Sequence, residues 1–143
     1  MKTIALASLL ALTATFAAAE GKDHKVAIHV DQNDPAVMNM ALNNVANVIS
    51  YYKDQGDTVT VEVVTYGPGL TMLIEGQSPV ADRISQMALE HDSLTFDACA
   101  NKLAGMEKKA GAKIPLMAEA TVVPSGVVQL ITLQEDGYAY VRP

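Results

Sequence analysis

One cysteine, Cys99, stands among 143 residues. No disulfide can therefore close within the chain. A solitary cysteine is a small buried hydrophobe, an intermolecular partner or a free reactive thiol. Basic residues are also few, with ten Lys and Arg against sixteen Asp and Glu. Lys108, Lys109 and Lys113 form the one local basic cluster, which speaks against a nucleic-acid surface. His24, His29 and His91 are scattered without ligand spacing, so no metal site is expected. A Gly-x-Ser-x-Gly elbow is missing, which disfavours a serine hydrolase. Gly67-Pro68-Gly69 lacks the spacing of a phosphate or dinucleotide loop. It reads as a turn, although its amides could cradle an anion. There is no internal repeat and no low-complexity linker.

What is present begins with an export pattern. Lys2 precedes the apolar run Thr3 to Phe16, and Ala17-Ala18-Ala19 offers a small-residue cleavage site before Glu20. The run is shorter than the roughly 20 residues a membrane span needs. Residues 1–19 are therefore expected to be a signal peptide and residues 20–143 a single domain. No cysteine follows the cleavage site closely enough for a lipid anchor. The expected location is the periplasm or the exterior, with no membrane association after cleavage. Loss of Lys2 leaves nine basic residues against sixteen acidic ones.

Strands and helices alternate along the domain. Lys25–Val30 reads as a strand with apolar residues on both faces, the pattern of a central parallel strand. Asp34 and Pro35 are a good N-cap and first residue for a helix reaching Asp54, with Met38, Leu42, Val45, Ile49 and Tyr52 on one stripe. Thr58–Thr65 is a β-branched second strand. Glu62 within it suggests an edge or a subunit contact. A helix follows Ser78-Pro79, and Leu94–Ala98 is the third strand. Cys99 then opens a helix from Ala100 to Ala110, closed by Gly111. Pro115 argues against a regular strand at Ile114–Met117. Ala120–Val123, a helix over Val127–Gln134 and Tyr138–Arg142 complete the series. This order predicts an α/β domain with a mainly parallel sheet of about five strands and helices on both faces.

In such sheets, sites form outside the carboxyl ends of the strands, where the strand order reverses. Strand order 2-1-3-4-5 would set Cys99 opposite Asp31 and Asn33. Cys99, at a helix N-terminus, is the candidate catalytic residue. The unpaired amides and helix dipole there favour thiolate, the reactive form. His29 and Asp31 point to one face of the first strand; His29 is a candidate proton acceptor or cationic neighbour, or a core histidine bonded to Asp31. Asn101 and Ser125 are further candidate binding residues, although Ser125 reads first as an ordinary N-cap.

Four segments together resemble a known family: Lys25–Asp31 (KVAIHVD), Phe96–Leu103 (FDACANKL), Val123–Leu130 (VPSGVVQL) and Gly137–Pro143 (GYAYVRP). Over nearly the whole domain the chain resembles the DsrE/DsrF-like proteins, above all their exported members. The resemblance implies a flavodoxin-like three-layer sandwich and homo-oligomers, trimers or hexamers. It also implies that Cys99 matches the cysteine on which sulfur-relay members carry a persulfide. Relay members often have arginines in the following helix, where this chain has Asn101 and Lys102. An exported protein would not meet the cytoplasmic tRNA-thiolation partners.

The expected function is thus a sulfur carrier that takes sulfane sulfur as a persulfide on Cys99, rather than a turnover enzyme in the ordinary sense. Its partners would be a sulfur donor and an acceptor, and no cofactor is required. The alternative is a non-catalytic ligand-binding or assembly module in which Cys99 is structural. A flavin-binding variant is a third option that the fold permits.

Overall fold

The computed structural model describes residues 21–143. The signal-peptide reading of residues 1–19 falls outside them. Strand β1 (Asp23–Val30) is followed by helix α1 (Pro35–Asp54), strand β2 (Thr58–Thr65) and a 3-10 helix (Gly67–Leu73). Then come α2 (Ala81–Glu90), β3 (Leu94–Cys99), α3 (Ala100–Ala110), β4 (Ala120–Val123), α4 (Gly126–Glu135) and β5 (Ala139–Val141).

Local chemistry accounts for most boundaries. The Asp34 carboxylate accepts the Ala36 amide at 2.8 Å, and Pro35 occupies the first turn of α1. Gly56, at φ 77°, supplies the left-handed turn after α1. Two boundaries shift because of pairing partners. β1 starts at Asp23 rather than Lys25, since Asp23 and His24 pair with Thr58 and Val59. β3 extends to Cys99, which pairs with Val123. The Pro115 segment forms only an isolated antiparallel bridge between Ile74 and Leu116.

The five strands are all parallel in the order β4-β3-β2-β1-β5. The molecule is an α/β three-layer sandwich of the flavodoxin-like kind. The order 2-1-3-4-5 is not the one adopted: β2 lies between β1 and β3. Crossover handedness explains the layers that follow. The steps from β1 through β4 all move in one direction, so right-handed crossovers put α1, the 3-10 helix, α2 and α3 on one face. The step from β4 back to β5 reverses direction and carries α4 to the other face.

The two faces differ in what they bury. On the first lie Val26, Ile28, Val30, Val61, Val63, Leu94, Phe96 and Ala98, which form the main core with Met38, Leu42, Leu70 and Ile84. On the second, α4 covers a small cluster of Ala27, Val64, Leu130 and Leu133, with Tyr66 and Tyr138 packed against it. By strand alternation His29, Glu62, Asp97 and Cys99 all belong to this second face.

Candidate functional site

In this topology the connections from adjacent strands β3 and β4 leave to opposite faces, α3 to one and α4 to the other. That divergence opens the crevice where α/β sheets place ligands. Cys99 is the last residue of β3 and stands at that crevice, paired with Val123 of β4. Across it the Asn101 amide donates to the Pro124 carbonyl at 3.3 Å. Cys99 is also the N-cap of α3, with φ −67° and ψ 111°, and its Sγ accepts the Lys102 amide at 3.4 Å. A thiol so placed receives both a first-turn N–H and the positive end of the helix dipole. The residue is 5% exposed.

The other predicted residues divide between two places. Asn101, exposed in the first turn of α3, and Ser125, the N-cap of α4, adjoin the Cys99 crevice. The Ser125 side chain makes no capping hydrogen bond, so it caps by backbone conformation alone. His29, Asp31 and Asn33 belong to β1 and the loop after it. β2 separates them from Cys99, about 10 Å away at ordinary strand spacing. The expected pairing of Cys99 with Asp31 and Asn33 is thus corrected, because it depended on β1 and β3 being neighbours.

His29 has its own surroundings. Its Nδ1 and the Tyr140 hydroxyl share a hydrogen bond of 2.7 Å, and its ring stacks on Tyr66 with centroids 4.7 Å apart. Its Nε2 lies 3.8 Å from Asp31 and has no hydrogen-bond partner. Burial lowers the His29 pKa, opposed by Asp31 and aided by Arg142, so neutral imidazole is favoured. Arg142 clasps Asp31 with contacts of 3.0 and 2.9 Å. Burial and then the charge of Asp31 push the Tyr66 phenol up. Tyr66 also fits beneath the start of α4, where a Cβ on Gly126 would come within 2.7 Å of the Tyr66 Cβ. Gly67-Pro68-Gly69 opens the 3-10 helix, and Gly69 lies against the backbone of Val30.

Sequence reasoning missed a group of polar residues under α4. Glu62 is in the central strand, not at an edge, and accepts Gln129 Nε2 and the Tyr138 hydroxyl, each at 3.1 Å. Asp97 is 1% exposed and its Oδ2 has no hydrogen-bond partner. Burial, then the neighbouring Glu62, raise its pKa to about 7, against a smaller opposing contribution from Gln129. Burial and Glu62 raise the Tyr138 phenol to about 12. The available signal was a carboxylate inside the short strand Leu94–Cys99, two residues from the cysteine and so on its face.

No family model and no curated protein matches the chain. A solved structure with the same fold is that of the protein of unknown function MTH1491 from Methanobacterium thermoautotrophicum. It shows 29% identity and a TM-score of 0.71, over 85% of this chain and 100% of that one.

Proposed function

We propose that the protein carries sulfane sulfur as a persulfide on Cys99, as the resemblance to DsrE/DsrF-like proteins implies. The observation that supports this is the position of Cys99 at the β3/β4 divergence, with Sγ held by the Lys102 amide. The thiolate, not the thiol, is the nucleophile. The Cys99 thiolate attacks the outer sulfur of a thiosulfate, persulfide or polysulfide donor. An Sγ–S bond forms, the donor's S–S bond breaks, and its electron pair leaves with the departing group, sulfite in the case of thiosulfate. Charge is conserved and no oxidant is consumed. Transfer to an acceptor thiolate repeats the exchange in the other direction. Asn101 and Ser125 border the crevice through which donor and acceptor would approach, whereas His29, Asp31 and Asn33 take no direct part.

The test is intact-mass analysis after treatment with polysulfide or thiosulfate. The wild-type protein gains sulfur and Cys99→Ala gains none. Equal gain in both proteins, or none in the wild type where an established carrier is loaded, overturns the reading.

The 5% exposure of Cys99 favours a second reading, a binding or assembly module with a structural thiol. Buried structural thiols are inert. A Cys99 that titrates only after denaturation selects this second reading.

The proposal also includes self-association, through the outward side of α4. Val127, Val128 and Ile131 there are each about half exposed, as is Val122 of β4. Their helical spacing makes one stripe, opposite the buried Leu130 and Leu133. A second apolar stripe on the outward side of a helix is a surface that a partner can cover.

A further inference from the structure

The second face of the sheet holds two carboxyl groups beneath its single helix, one buried and one partly buried. Thr95 and Asp97 pair with Glu62 and Val64 of β2, so Glu62 and Asp97 are diagonal neighbours on this face. Asp97 is 1% exposed and no donor reaches its Oδ2. Glu62 is partly buried, and both of its carboxyl oxygens are engaged by residues that hold α4 and the approach to β5, Gln129 and Tyr138. The apolar contribution to the same contact is small, resting on Ala27, Val64, Leu130 and Leu133.

The geometry points to Glu62 and Asp97 sharing one proton beneath α4, such that loss of this proton loosens the helix from the sheet. With the proton in place, an Asp97 hydroxyl donates to Glu62 and leaves the Gln129 and Tyr138 bonds intact. Without it, two adjacent carboxylates face each other under the helix, and like charges in a poorly solvated site repel. The raised pKa of Asp97, about 7, sets the upper end of the transition near neutrality. The sign follows from linkage. An acid with a raised folded-state pKa holds its proton longer in the docked state, so docking weakens as pH rises toward that value.

The charged and titratable groups around the pair do not compensate it. On β1, His29 faces the same layer from beyond Val64. Lys25 Nζ lies over the Tyr138 ring at 5.6 Å and bonds the Asp136 carbonyl at 3.4 Å. Asp136 and Tyr138 precede β5, Gln129 of α4 is uncharged, and Cys99 lies two residues along β3 from Asp97. Among the described residues, no lysine or arginine bonds Glu62 or Asp97 through its side chain. The inference does not depend on sulfur carriage, since it concerns how α4 is held.

Hydrogen exchange of the peptide spanning residues 126–135 tests it, measured on the full chain from about pH 5.5 to 8.5 and normalised to intrinsic rates. Wild-type protection of α4 falls as pH rises toward about 7, by up to about tenfold per pH unit, the slope of a one-proton linkage, and levels off above that value. Protection of the β1 peptide stays level. Asp97→Asn removes the pH dependence, and Glu62→Gln moves the pH at which protection levels off downward, because burial alone still raises Asp97 while the neighbouring charge is gone. A flat wild-type profile overturns the inference, as does an equal loss of protection in β1 and α4, which would mean global unfolding. A Glu62→Gln profile that levels off at the same pH as the wild type also overturns it, and that variant decides if Asp97→Asn does not fold.

Discussion

At the residue scale, the second face is held by polar contacts that leave little slack. His29 has one hydrogen-bonded nitrogen, shared with Tyr140 at 2.7 Å, and one with no partner. Removing the tyrosine hydroxyl would leave both nitrogens of a buried ring without a protein partner. A buried polar group left without its partner costs about 1–3 kcal/mol. Tyr140→Phe should therefore lower the urea midpoint of unfolding by that equivalent, while the stacked Tyr66 stays in place. A variant that unfolds at the wild-type midpoint would show that this bond contributes nothing net.

At the element scale, the carboxyl edge depends on how closely the backbone after β2 approaches β1. A Cβ on Gly69 would sit 2.3 Å from the Val30 carbonyl oxygen and 2.9 Å from the Asp31 Cα. These are backbone atoms and cannot rotate away. Gly69→Ala should force the 3-10 helix off β1 at the cost of an overpacked site, about 1–3 kcal/mol. Chemical denaturation of the purified variant measures this, and an unaltered midpoint would refute the close approach. The helices themselves show how far local signals reach. The ends of α1 follow from Asp34, Pro35 and Gly56, and α3 ends before Gly111 at φ 69°. The start of β1 and the end of β3 follow from strand partners, which no local signal specifies.

At the scale of the whole molecule, the asymmetry of the sandwich matters most. One face is covered by three α-helices and a 3-10 helix, the other by α4 alone. The outer stripe of Val127, Val128 and Ile131 is the natural place for a second copy. Light scattering should report an oligomer for the wild-type chain and a smaller species for Val128→Glu, because a charge inside an apolar contact is costly. A monomeric wild type would remove self-association from the proposal.

Alternation of apolar residues, the β-branched run Thr58–Thr65 and the capping residues were enough to read a parallel α/β domain, because these signals act over a few positions. They were also enough to single out Cys99 at a strand-to-helix junction. Strand order was not readable, because it is settled by pairings between segments far apart in the chain, and parallel pairing carries no turn signal to mark it. The site followed the order: with β2 inserted between β1 and β3, Cys99 faces Val123 and Pro124 instead of Asp31. The same insertion turned Glu62 from a supposed edge residue into the partly buried neighbour of Asp97, since only the assembled sheet brings two acids from different strands beneath one helix.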